Sequence, residues 1–161
     1  MIALVIVGLD QWTKAMVRAN IPAGESWLPA SWQWLSPYAR IVHWYNTGAA
    51  FGMFKDASMV FTVLAFIVIA AILVYYPQVE KEDWPLRLAL SMQLGGALGN
   101  LIDRLTIGHV TDFISVGTFP VFNIADASIS VGAAALFLGV WLRESAERKQ
   151  KANDTVDIPG E

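Results

Sequence analysis

Four stretches of this chain are apolar over the length of a helix, and polar residues enter them only at the ends or in tight groups. The first runs from "MIALVIVGL" into "DQWTKAMV", residues 1 to about 18. The second, "SMVFTVLAFIVIAAILVYY" (58–76), carries no charge and matches the roughly 20 residues that cross a bilayer. Tyr75 and Tyr76, followed by Pro77, give it an interfacial aromatic end and a stop. The third spans about 86–106 and the fourth about 123–142. Between the first two, "SWLPASWQWLSPYARIVHWYNTGAAFG" mixes Trp, Tyr, Ile and Val with Pro and Ser breaks, which predicts a small sheet of short strands over about 25–52. "HVTDFISVGTFPVF" predicts a hairpin that turns near "VGT". The polar tail, 151–161, is expected to be disordered.

Composition turns these helices into membrane spans. The chain is 55% hydrophobic and only 16% charged, with a mean hydropathy of +0.47. A soluble domain carries about 25% charged residues. The predicted architecture is an all-α integral membrane domain over 1–150, with four transmembrane helices and a small extracytoplasmic sheet. An even number of spans puts both termini on one side. Arg143, Arg148, Lys149 and Lys151 near the tail, with Lys81 and Arg87 in the second loop, favour the cytoplasm for that side. The Trp-rich loop then lies outside, where Trp27, Trp32, Trp34 and Trp44 suit the headgroup level. Only nine residues precede Asp10, about 14 Å of helix, so the first span is expected to be short or to carry Asp10 and Lys14 within the membrane. A signal peptide fits this segment poorly, since no basic stretch precedes it and no clear cleavage site follows.

Charge and donor types exclude several classes. A net charge of −3 gives nucleic acid no electrostatic purchase. The absence of cysteine removes thiol nucleophiles, disulfides and Cys-ligated zinc. His43 and His109 stand alone, without an H-E-x-x-H motif, so neither a metal nor another cofactor is expected.

What remains are polar residues in or beside apolar segments, where a charge costs a few kcal/mol unless it has a partner or a job. Asp10 and Lys14 lie at i and i+4 in the favourable acid-before-base order, which reads first as a structural ion pair. Asn46 ends a strand as a turn residue, or else holds a peptide or orients a carboxyl group. Gly95 and Gly99 form a small-xxx-small packing face. That face does not explain Asn100, Asp103 and Arg104, which fall within about one turn. Asn123 is a good N-cap with Asp126 at N3, so capping alone accounts for Asp126. It does not account for Asp112, in a strand-like stretch beside that helix start. Two carboxylates converging on the outer face, with no metal ligands near, fit a shared-proton pair that activates water for amide hydrolysis. A proton-coupled transporter is the alternative of another class, but it would place its carboxylates between helices at mid-membrane. A Ser/Lys peptidase is disfavoured because Lys14 already has an acid neighbour.

Five blocks, "DQWTK" (10–14), "NTGAAFG" (46–52), "GGALGNLIDR" (95–104), "GHVTDFI" (108–114) and "FNIADASI" (122–129), resemble in type and order the signature blocks of bacterial lipoprotein signal peptidase, signal peptidase II. The resemblance implies a four-span aspartic endopeptidase of the bacterial inner membrane, with its site on the periplasmic face. It would cut prolipoproteins before a diacylglyceryl-modified cysteine and be inhibited by globomycin-type cyclic peptides. It implies a catalytic dyad at Asp112 and Asp126. Around the dyad it places Asn46 with Gly48, Asn100, Arg104 and Asn123, and it makes Asp10 and Lys14 supports of the fold. Family members usually carry more residues ahead of the first block, so a foreshortened cytoplasmic end of the first helix is expected.

Overall fold

The computed structural model describes residues 1–48 and 58–156. Four helices follow the four apolar segments: α1 (Ile2–Asn20), α2 (Ser58–Tyr75), α3 (Trp84–Ile107) and α4 (Ile124–Val156). Three strands, β1 (Ser26–Trp27), β2 (Ala39–Asn46) and β3 (Val110–Val116), form an antiparallel sheet in the order β1-β2-β3. A small sheet is therefore present, and the predicted hairpin segment supplies its third strand. Gly117, at φ +52, makes the turn at "VGT", as predicted, but the returning arm is reduced to a single bridge between Ile114 and Phe122. Its following residues are needed for the start of α4.

Local chemistry sets the helix ends. α3 begins with Pro85 in its first turn and with the Asp83 side chain accepting the Leu86 N–H at 3.4 Å. It ends at Gly108, which takes the left-handed conformation at φ +80 and releases the chain into β3. α4 continues to Val156, so residues 151–156 of the tail expected to be disordered are helical instead. The polar segment is rich in helix formers, and Glu144 pairs with Arg148 one turn on. Residues 157–161, and 49–52 of the second block, lie outside the described residues.

α3 is the central helix, packing against α1, α2 and α4. Its Gly95 meets Ala3 and Ile6 of α1, and Gly99 meets Asp10, so the small-xxx-small face seen in the sequence seats α1. Ile69 with Ala97 and Leu101 joins α2 to α3, and Val17, Ile21 and Phe113 join α1 to the sheet.

The largest sealed side chains are mostly polar, unlike those of a water-soluble bundle. The largest side chains that are all but fully sealed are Lys14, Asn123, Thr111, Asp10, Asp103 and Asp112, with Val110 the sole apolar member. Large apolar side chains, among them Leu4, Met59, Ile67, Val74 and Phe137, point outward. Such an outer surface suits hydrocarbon rather than water. Two helices, at Ser58–Gln78 and Ile124–Trp141, are long and apolar enough to cross a membrane. α1 and α3 carry more charge, of which Asp10, Lys14 and Asp103 are sealed in the interior.

Candidate active site

The site lies where the start of α4 meets β3 and the C-terminal half of α3. Asn123 and Asp126 form a reciprocal cap: Asn123 Oδ1 accepts the Asp126 N–H at 2.9 Å, and Asp126 Oδ2 accepts the Asn123 N–H at 3.2 Å. This is the capping box expected from the sequence. It leaves Asp126 Oδ1 free to accept Asn100 Nδ2 at 2.7 Å and leaves Asn123 Nδ2 free to donate to Asp112 Oδ1 at 2.7 Å. Asn123 thus holds both carboxylates, one by its backbone and one by its side chain.

Asp112 is brought there by β3 and steadied by β2. Asn46 Nδ2 donates to Asp112 Oδ2 at 2.8 Å, while Asn46 Oδ1 accepts the Gly48 N–H at 3.0 Å, which determines which end of the amide faces the carboxyl group. This contact depends on an irregularity in the sheet. Ile41 pairs with Ile114, but the next pair is Trp44 with Asp112, so β2 spends three steps where β3 spends two. Strand side chains alternate faces, and without the extra residue Asn46 would point to the face opposite Asp112. His43 lies in the bulge, donating Nδ1–H to the Ile21 carbonyl at 2.7 Å and thereby tying the bulge to the end of α1. That tautomer leaves His43 Nε2 as a buried acceptor with no hydrogen-bond partner.

Below the two candidate carboxylates lies a second polar layer. Lys14 Nζ sits 2.9 Å from Asp10 Oδ2, 3.3 Å from Asp103 Oδ2 and 2.9 Å from Asn100 Oδ1. Asp10 Oδ1 accepts the Ala125 N–H of α4 at 3.0 Å. Asp103 accepts the Thr111 N–H at 3.0 Å, and Arg18 bridges Asp103 and Thr111 at 3.4 and 3.1 Å. The pair Asp10–Lys14 is therefore the ion pair read from the sequence, but within a larger cluster. Asp103, Arg18, Gln11 and Thr111 belong to that cluster and were not among the expected site residues. "LIDR" and the i, i+4 placement of Lys14 and Arg18 on α1 were the available signals. Neither shows which carboxylate a cation will meet.

Arg104 does not touch either carboxylate. Its guanidinium reaches the Asn100 carbonyl at 3.4 Å and stands 5.7 Å over the Phe61 ring. With Asn46, Gly48, Asn100 and Asp126 it lines a cleft of about 470 Å³ whose remaining wall is mostly apolar, including Phe61, Phe122 and Val131. The cleft descends along one face of α4 past Ala127 and Ser130.

Burial, reinforced by the charge of Asp126, pushes the Asp112 carboxyl up to about 7, against the opposing pull of the Asn46 and Asn123 hydrogen bonds. Among the described residues the cluster holds four carboxyl groups (Asp10, Asp103, Asp112, Asp126) and three basic side chains (Lys14, Arg18, Arg104). Chemically, this is a pair of carboxyl groups held by one amide, with Asp126 lining a mostly apolar cleft. It can activate water on one side and hydrogen-bond a carbonyl on the other.

Comparison with known proteins points the same way. The signal peptidase (SPase) II family profile matches residues 2–142. The lipoprotein signal peptidase of Halalkalibacterium halodurans is 38% identical over 154 residues, covering 93% of this chain and 96% of that protein. Those of Moorella thermoacetica and Pseudomonas aeruginosa are 39% and 37% identical, covering 84% and 87% of this chain. A solved structure described as a bacterial membrane enzyme superposes with a TM-score of 0.82 at 29% identity, covering 90% of this chain and 88% of that one.

Proposed function

Because this chain belongs to the signal peptidase II family, the lipoprotein signal peptidases, we propose that Asp112 and Asp126 are the dyad with which it cuts its substrate. The family activity is removal of signal peptides from lipoproteins by an aspartic-type membrane protease, and that is the activity of this protein. The observation that carries the dyad is the convergence of a buried carboxylate, Asp112, and a half-buried one, Asp126, on one amide, Asn123, beside the cleft that Asp126 lines. Asp112 holds the proton and donates a hydrogen bond to the scissile carbonyl oxygen. Asp126 takes a proton from the attacking water as its oxygen bonds to the carbonyl carbon. Collapse of the tetrahedral intermediate then breaks the C–N bond and returns a proton to the leaving amine.

The substrate we propose is a prolipoprotein with a diacylglyceryl-modified cysteine, cut just before that cysteine. The apolar wall of the cleft suits a lipid-bearing residue, and globomycin-type cyclic peptides would compete for the same space. We further propose four spans in the inner membrane. α1 and α3 qualify despite their charges because Asp10, Lys14 and Asp103 are fully or almost fully sealed inside the protein. Purified protein should release the signal peptide from a lipid-modified prolipoprotein and leave the unmodified precursor intact; equal cleavage of both would overturn the lipid requirement.

Three expectations follow from this site. A reporter fused after residue 150 should be active only in the cytoplasm; periplasmic activity would put the dyad on the wrong side. Cleavage should survive EDTA or phenanthroline, since no cysteine and no paired histidine is at hand to hold a metal; loss restored by zinc would contradict the dyad. Arg104→Ala should lower kcat by about 10-fold or more with the protein still accumulating, because a guanidinium that lines the cleft is placed to hold substrate carbonyls. Unchanged turnover in folded Arg104→Ala would confine the residue to packing on Phe61.

A further inference from the structure

We infer that Lys14 is a positioning residue for the cleavage reaction, setting the orientation of the Asn100 carboxamide and through it both hydrogen bonds that aim the dyad. The inference rests on the dyad reading above. Lys14 touches neither carboxylate of the dyad through a hydrogen bond, and an ion pair with Asp10 would by itself explain its presence. Its contact with Asn100 is what the ion pair does not explain.

Asn100 Oδ1 accepts two donors, Lys14 Nζ at 2.9 Å and Asn123 Nδ2 at 3.1 Å, while Asn100 Nδ2 donates to Asp126 Oδ1 at 2.7 Å. An ammonium has three donors and no acceptor capacity, so only the oxygen end of an amide can face it. With Lys14 in place, the nitrogen end must face Asp126. In the flipped amide, an oxygen would oppose the Asp126 carboxylate and an N–H would oppose the Asn123 N–H, two like-to-like contacts in a sealed site. Asn123 is linked to this choice. Its Nδ2 is shared between Asn100 Oδ1 and Asp112 Oδ1, so the oxygen of Asn100 helps hold that N–H in the plane that reaches Asp112. One buried cation thus orders a chain of two amides that ends on both aspartates. Lys14 and Asn100 are 0% and 5% exposed, so water cannot substitute for either partner.

The test must separate this from a purely structural ion pair. Removing Lys14 alone leaves Asp10 and Asp103 short of a buried counter-charge and invites misfolding. Lys14→Met with Asp10→Asn removes one charge of each sign and keeps shape. The positioning role predicts that this double variant folds, with a thermal midpoint in detergent close to the wild type, and cleaves a lipid-modified peptide with kcat reduced about 10²-fold and KM within about twofold. A structural ion pair predicts that kcat returns together with the fold, and that result would overturn the inference. The second arm combines the double variant with Asn100→Ala. If Lys14 acts through Asn100, the losses overlap and the combined kcat is about that of Asn100→Ala alone. Losses that multiply would overturn the relay. Should Met not be accepted at position 14, Lys14→Leu with Asp10→Asn carries the same expectations. Wild-type protein run in parallel keeps the two readings apart: if it does not cleave the lipidated peptide, the proposed function has failed, whereas active wild type with fully active double variant defeats only the relay.

Discussion

Asp112→Asn and Asp126→Asn should each reduce cleavage of a lipid-modified prolipoprotein by about 10³-fold or more while leaving the protein folded in the membrane, the upper range for loss of a general acid or base. The structure explains why folding should survive. Asn at 126 retains an oxygen to accept the Asn123 N–H, so the reciprocal cap persists; what is lost is the hydrogen bond from Asn100 Nδ2 and the charge near the helix N-terminus, the latter worth about 0.3–1 kcal/mol. Asn at 112 still accepts from Asn46 or Asn123. If the role of Asp126 were capping alone, Asp126→Asn would cleave at a near-normal rate, and that outcome would remove it from the dyad. The pH profile provides an independent check. Asp112 must hold its proton to act as the acid, and its pKa lies at about 7. The rate should therefore fall as pH rises through that value. Stability should move in the same direction. An aspartate in the unfolded chain titrates near pH 3.9, so between there and about 7 the folded protein holds a proton that the unfolded chain has lost. Stability then declines across that window as pH rises and levels off above it. Asp112→Asn should lack this contribution; a wild-type melting curve no more pH-dependent than that of Asp112→Asn would argue against a buried, protonated Asp112.

Gly96→Ala should be the most damaging single-methyl change in the described helices, costing about 3 kcal/mol and most of the activity, and Gly96→Leu should fail to accumulate. A Cβ at Gly96 would stand 2.4 Å from the Ala125 carbonyl oxygen and 2.6 Å from Ser128 Oγ and Ile129 Cγ1. The first of these is backbone and cannot rotate away, so α3 and α4 must part. Asn100 is one turn further along α3, and Ala125 adjoins Asp126. The separation therefore stretches the 2.7 Å bond from Asn100 to Asp126, and activity should fall further than stability alone explains. Gly139 is the internal control. A Cβ there meets nothing within 4 Å, and Gly139→Ala should be neutral or stabilise by about 0.5–1 kcal/mol through helix propensity. Equal thermal midpoints and turnover for the two alanine variants would refute the close-packing argument.

Local signals were enough for the four helices, because each apolar segment is long and each is bounded by a cap, a proline or a glycine that acts within a few residues. They were also enough for the Asn123–Asp126 cap, which is a spacing rule, and for singling out the two aspartates proposed here as the dyad. The Asp10–Lys14 pair was legible for the same reason, since i and i+4 are neighbours on any helix. The limits appear wherever a property depends on partners distant in the chain. Asp103 reads in sequence as an acid that either pairs with an arginine or faces the interface, and which arginine it meets is decided by the fold: it is sealed by Lys14 and Arg18 from α1 and by the Thr111 N–H from β3. Asn46 reads equally as a turn residue, and only the extra residue in β2 gives it the face that meets Asp112; register parity is a property of the paired strands and not of either alone. Gly95 and Gly99 were visible as a packing face, but the tighter contact at Gly96 follows from how α4 crosses α3. The sequence by itself determined the helices, their caps and the two carboxylates. The tertiary structure alone decided which way the amides between those carboxylates point, because an amide's orientation is set by the groups that surround it, and here they come from α1, α3, α4 and the sheet.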